Sequence, residues 1–202
     1  MSGAVVYVHG RGGSPDESAR YAPLFPGCAV LGLNYRGDTP WEAGPEIREA
    51  IVKLRERHDP IDLIANSIGA YFSMHAGLNG MIRRAYFISP VVDMEALIRG
   101  SMARAGVTEA LLRERGAVRT DSGEMLSWAY LRFVIEHPLD WRVPTQILYG
   151  SRDELTARDV IGAFAQGHGA GLTVMEGGEH WFHTQEQLRF LDAWLRRCAA
   201  DA

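Results

Sequence analysis

The sequence predicts an α/β fold built on a parallel sheet, and three observations carry that prediction. Six short apolar runs bounded by turn residues recur along the 202-residue chain, at Ala4 to Val8, Ala29 to Leu33, Ile61 to Ala65, Ala85 to Ile88, Thr145 to Tyr149 and Leu172 to Met175. Helical patterns fill the gaps between them, so helical crossovers and parallel strands are the economical topology. The run Ile61, Leu63, Ile64, Ala65 is apolar on both faces, as a strand covered by helices on both sides must be.

The helices follow in order. Apolar spacing places them at Pro45 to Arg57, Ile68 to Asn79, Thr156 to Gln166 and Thr184 to Cys198. Thr184 with Gln187 matches a capping box, and Thr156 with Asp159 is its looser acidic form. Between Pro90 and Pro144 no strand pattern occurs, and the segment at about 91–143 reads as a helical insertion into a single domain spanning 1–202. Met94, Leu97, Ile98 and Met102 have helical spacing there; Thr108 and Gly116 bracket a short helix; Leu126, Tyr130, Phe133 and Val134 mark a longer one ending before Pro138. Such an insertion is placed to roof a pocket, and Met102, Met125, Trp128 and Tyr130 are its candidates for touching a substrate, although packing alone explains most of these side chains.

Composition narrows the function classes. The formal net charge is −4, and the basic residues are arginines interspersed with acids, apart from Lys53, so no nucleic-acid footprint is expected. No apolar stretch is long enough for a membrane span, and Ala4 to Val8 lacks the basic flank and length of a signal peptide, which points to the cytoplasm. Cys28 and Cys198 lie far apart and outside any metal-ligand spacing, and no disulfide framework is expected.

Chemistry concentrates at Ile61–Ala70, IDLIANSIGA, where a strand turns sharply into a helix at Ser67. A serine on such a turn projects its hydroxyl above the sheet, with backbone N–H groups of a helix N-terminus beside it. The tight turn demands small residues two before and two after the serine; here they are Ala65 and Gly69, so the G-x-S-x-G pattern is missing its first glycine. An acyl-transfer serine also needs a base, an orienting acid and oxyanion donors. Asp153 follows the fifth strand in YGSRDE, and His180 follows the sixth in MEGGEHWFH. The first strand ends in HGRGG, a turn whose backbone N–H groups can approach a ligand closely. Its Arg11 N–H and the N–H of Ile68 are the candidate oxyanion donors. A G-x-G-x-x-G dinucleotide fingerprint would need glycine at Pro15, and the P-loop lysine is missing as well, so no cofactor is expected.

Taken together, the HG-x-x-G turn, the ANSIG elbow, GSRD and GGEH occur in the order Ser67, Asp153, His180, and the chain resembles a small member of the α/β-hydrolase superfamily over nearly its whole length. The resemblance implies a sheet shortened to six strands in the order 2-1-3-4-5-6, with the family's first two strands missing. It also implies Ser67 as nucleophile, His180 as general base and then acid, and Asp153 as the orienting carboxylate, acting on a small acyl substrate without metal or organic cofactor. Asp93 is a rival acid, since some members supply it from that position, and Glu154 is a lesser one. His183 rivals His180, and a metal reading of His180, His183 and Glu179 has no third-ligand spacing to support it. His9 is expected to hold the glycine turn in shape. A binding module that kept the fold without turnover, or the same triad used for carbon–carbon bond cleavage or a lyase step, are the competing functions; oligomeric state is open.

Overall fold

The structure, a computed structural model, describes residues 2–200. The chain forms two compact units, Met1–Val92 with Asp140–Ala202, and Asp93–Leu139.

The larger unit is built on six parallel strands: β1 (Ala4–Val8), β2 (Ala29–Gly32), β3 (Ile61–Asn66), β4 (Arg84–Ile88), β7 (Thr145–Gly150) and β8 (Gly171–Met175). Their spatial order is β2-β1-β3-β4-β7-β8, which is the expected 2-1-3-4-5-6 counted over the sheet's own strands. Every pairing is parallel, with Val8 opposite Ala65 and Ala65 opposite Phe87 at the carboxyl ends of the central strands. The central strands are buried on both faces, as their apolar content requires. Val5, Tyr7, Ile64, Tyr86 and Leu148 share a core with Trp194, Leu191 and Leu195 of α7 (Gln185–Ala200). Residues of opposite parity, Val6, Val8, Leu63, Ala65 and Phe87, are as fully enclosed. Asp62, near the start of β3, is buried and accepts two hydrogen bonds from Arg83 at 2.8 and 2.6 Å. Cys28 is exposed and Cys198 half-buried. No helix of the described residues is long and apolar enough to cross a membrane.

Helix boundaries depart from the periodicity where local chemistry intervenes. Helix α1 spans Pro40–Arg55, so Pro40 takes the first helical position that a proline suits and Pro45 lies inside the helix. Helix α2 is Ile68–His75, shorter than the expected run to Asn79. The capping box at Thr184 forms: the Gln187 N–H donates to Thr184 Oγ1 at 3.2 Å, and Gln187 Oε1 accepts from the Thr184 N–H at 3.4 Å and also from the His183 N–H at 3.0 Å. The box at Thr156 does not, because α6 (Arg158–His168) starts two residues later behind Ala157 and the Thr156 hydroxyl donates elsewhere. Two elements were not anticipated, the first of them in the larger unit. Residues Pro15–Leu24 form 3-10 turns headed by a capping box in which Ser14 and Glu17 satisfy each other's backbone N–H groups.

The second unit holds α3 (Met94–Arg104), α4 (Glu109–Arg115) and α5 (Trp128–Glu136), as the apolar spacing predicts. It also holds a small antiparallel hairpin, β5 (Ala117–Arg119) with β6 (Met125–Ser127), where only helices were expected. Thr120 closes the connection by exchanging backbone bonds with Glu124 and Gly123, and three-residue strands are too short to show alternation in sequence. Leu126, expected on a helix, is buried on β6 instead, and α5 begins behind Ser127.

Trp194 is fully enclosed between α7 and the sheet, with its ring edge-on to Tyr86 at 6.3 Å. Trp194→Ala is expected to lower unfolding stability by about 3–5 kcal/mol, measured by urea denaturation, through the cavity it leaves.

Candidate active site

Ser67 occupies the junction between β3 and α2 with φ 54° and ψ −121°, a backbone conformation that residues with a Cβ rarely adopt. The surrounding chain holds it there. The Ser67 N–H donates to the Ile88 carbonyl at 3.0 Å, while its own carbonyl accepts from Val91 N–H and Ala70 N–H, each at 3.2 Å. Sterics tighten the turn further. A methyl group at Gly69 would overlap the His9 carbonyl oxygen and come within 2.7 Å of that of Val8, and one at Gly10 would lie 3.2 Å from the Ser67 Cβ. Ala65, the departure from the glycine pattern, sits fully buried in regular β3 pairing, and the reversal forms with its methyl in place.

The turn aims Ser67 at His180. Ser67 Oγ and His180 Nε2 are 2.8 Å apart, and His180 Nδ1 lies 2.7 Å from Asp153 Oδ2. The Asp153 side chain is completely enclosed. Its charge is met by hydrogen bonds instead of water: Oδ1 accepts from Leu155 N–H at 2.8 Å and Thr156 N–H at 3.1 Å, which leaves Oδ2 for the imidazole. That arrangement puts the ring proton on Nδ1 and leaves Nε2 free to accept from the serine. Thr156 ties this loop to the elbow. Its hydroxyl donates to the Pro90 carbonyl at 3.3 Å, and Pro90 precedes the residue whose N–H holds the Ser67 carbonyl. Sequence reading assigned Thr156 to a helix cap and missed this contact.

The glycine turn after β1 is closed by Gly13 N–H donating to the Gly10 carbonyl at 3.1 Å, with Gly12 at φ 74° in the position that demands glycine. The turn bond does not use the Arg11 N–H. The N–H of Ile68, in the first turn of α2, has no carbonyl one turn back. His9 braces the loop, as expected: its Nδ1 is 2.9 Å from the Gly10 carbonyl, its ring stacks on Tyr35 at 4.4 Å, and the Tyr35 hydroxyl donates to the His9 carbonyl at 2.7 Å.

A cleft of about 720 Å³ includes Ser67, His180 and the Gly10–Gly13 turn in its lining, with an apolar wall of Tyr7, Tyr21, Ile88, Phe182 and Leu191. Three residues of the lining with polar groups, Tyr7, Glu17 and Arg20, escaped sequence reading. The Tyr7 hydroxyl donates to Glu17 Oε2 at 2.5 Å, and burial, reinforced by Tyr21 and Glu17, pushes its pKa far above the ordinary range, so it stays a donor. Arg20 is anchored by Asp192 Oδ1 at 2.5 Å and the Leu188 carbonyl at 3.1 Å. The only signal for any of them was the Ser14-x-x-Glu17 spacing.

The rivals make other contacts, although His183 also lines the cleft. Asp93 caps α3 by accepting from Ala96 N–H at 2.8 Å, and Glu154 is exposed. His183 Nδ1 contacts the Trp181 carbonyl at 2.8 Å and Glu179 Oε2 at 3.4 Å. The four apolar candidates belong to the second unit and are placed within it: Met102 is buried in α3, Met125 is exposed at the start of β6, and Trp128 and Tyr130 are half-buried in α5. The described lining of the cleft consists of residues of the larger unit.

No protein-family model and no curated protein matches the chain. Solved structures do match it, over almost its full length. Est1E from Butyrivibrio proteoclasticus superposes with a TM-score of 0.77 at 19% identity, covering 100% of this chain and 88% of that one. An alpha-beta serine hydrolase homologue from Coxiella burnetii gives 0.66 at 18% identity, with 98% and 84% covered. The RedJ thioesterase of prodiginine biosynthesis from Streptomyces coelicolor gives 0.60 at 17%, with 96% and 89% covered. The chain therefore has the α/β-hydrolase fold, and its structural neighbours include esterases and serine hydrolases.

The strained φ at Ser67 has a measurable cost. Ser67→Gly is expected to be more stable than Ser67→Ala by about 1 kcal/mol in chemical denaturation, because relief of the backbone strain exceeds the added chain entropy of glycine.

Proposed function

We propose that the chain is a serine hydrolase that cleaves a carboxylic ester or related acyl substrate through an acyl-enzyme. The observation that carries this reading is the continuous hydrogen-bonded line from Ser67 Oγ through His180 to the enclosed Asp153. Ser67 Oγ forms a bond to the acyl carbon as its proton passes to His180 Nε2. The carbonyl oxygen takes up the negative charge beside the N–H groups of Arg11 and Ile68, where preorganised donors each supply on the order of a hundredfold to a thousandfold in rate. Collapse breaks the bond to the leaving group, which takes the proton from His180. Water then repeats the sequence on the acyl-enzyme, with His180 again as base and then acid, and Ser67 is regenerated. Asp153 keeps the imidazole in the tautomer that accepts at Nε2 and stabilises the imidazolium that forms.

The acyl class is supported by the neighbours: one Est1E structure has ferulic acid bound, and RedJ is a thioesterase. The apolar wall of the cleft suits a small organic acyl group, and the scheme uses no metal or organic cofactor. A fluorophosphonate probe tests it directly. Stoichiometric labelling of Ser67 and its loss in Ser67→Ala are expected; esterase activity that survives in Ser67→Ala would sink the reading. Asp153→Asn is expected to lower kcat by about 10⁴-fold while leaving the fold intact, as judged by circular dichroism, because the amide favours the wrong histidine tautomer.

A further inference from the structure

Trp181 is the most exposed large apolar side chain among the described residues, at 71%, and it lines the same cleft as Ser67 and His180. Leu155, 48% exposed, lines it too. A lone exposed apolar residue needs no explanation, but two that line one cleft offer apolar surface that a bound molecule can cover. These two residues sit where a reacting molecule would provide that cover. Trp181 follows His180 directly in sequence, and Leu155 is two residues beyond Asp153, to whose Oδ1 its own N–H donates at 2.8 Å.

The indole is also held in place. One side of it stacks on the His183 ring, with centroids 4.9 Å apart and planes 25° from parallel. That ring is in turn fixed by Nδ1 against the Trp181 carbonyl at 2.8 Å, and by the His183 N–H donating to Gln187 Oε1 at 3.0 Å inside the α7 capping box. An exposed aromatic ring backed in this way is a platform for another flat group.

We infer that Trp181, with Leu155, forms a leaving-group subsite that selects esters of flat, apolar alcohols such as arylmethanols. The inference rests on the serine-hydrolase reading above, and the chemistry of that reading assigns the side. The leaving oxygen must come within hydrogen-bond distance of His180 Nε2 to take its proton, while the carbonyl oxygen turns to Arg11 and Ile68. The alcohol moiety therefore extends past His180, toward the residues that flank it.

Acetate esters of methanol, benzyl alcohol and 2-naphthylmethanol test this with the acyl group held constant and with alcohols of similar acidity. Wild type is expected to show kcat/KM rising from the methyl to the benzyl and naphthylmethyl esters. Trp181→Ala is expected to reduce the benzyl-to-methyl ratio by about three- to tenfold, the range that one aromatic contact supplies, with the change carried by KM. Trp181→Phe should recover most of it. An unchanged ratio in Trp181→Ala, or an equal loss for all three esters, overturns the subsite. Failure of the underlying reading has a different signature, since no acetate ester would then be turned over in a Ser67-dependent manner.

Discussion

The reversal of the chain at Ser67 is the constraint on which the rest of the site depends. A serine at φ 54° carries backbone strain of about 1–3 kcal/mol, and it persists because its surroundings over-determine it. Both polar backbone groups of Ser67 are hydrogen-bonded to the end of β4 and the chain just past it, through Ile88 and Val91. Both neighbours that crowd the turn, Gly10 and Gly69, lack the side chain that would push it open. Those conditions exist only where three parallel strands end side by side with a helix packed against them. The buried sheet is in this sense a jig for a single residue.

A second dependence runs through electrostatics. Enclosing the Asp153 carboxylate would cost several kcal/mol if it went unpartnered. Two backbone donors from its own loop and the His180 ring satisfy it. The loop keeps its shape because Thr156 spends its hydroxyl on Pro90 and its carbonyl on the Tyr149 hydroxyl, at 3.3 and 2.8 Å, instead of capping α6. Acid loop and elbow are therefore attached to the same short stretch after β4, which helps to fix their separation.

Much of this was legible in the chain. The strands of the sheet show as apolar runs of strand length, in β1, β3, β4 and β7 because both faces are covered, while the edge strands β2 and β8 are half-buried, and the order Ser67, Asp153, His180 follows from where those runs stop. What could not be read has physical causes. Thr156 looked like a cap because its partner, Pro90, is remote in sequence and contributes only a carbonyl, which no residue pattern advertises. The β5–β6 hairpin has three residues a side, below the length at which alternation differs from noise. The 3-10 turns at Pro15–Leu24 have no 3.6-residue periodicity to detect. Tyr7 read simply as part of an apolar strand, and its donor role emerges only because Glu17 approaches its hydroxyl.

The two small positions of the elbow are not equivalent. Ala65 lies within regular β3 pairing and its methyl is accommodated, whereas any carbon added at Gly69 meets the carbonyls of Val8, the last residue of β1, and of His9. In this chain, then, the first small position of the elbow accepts a methyl group and the last does not. A search string that insists on glycine at both discards chains such as this one, and one that relaxes both admits serines that no strand could bring to this angle. Most of the information in the motif resides in one missing side chain, two residues after the nucleophile.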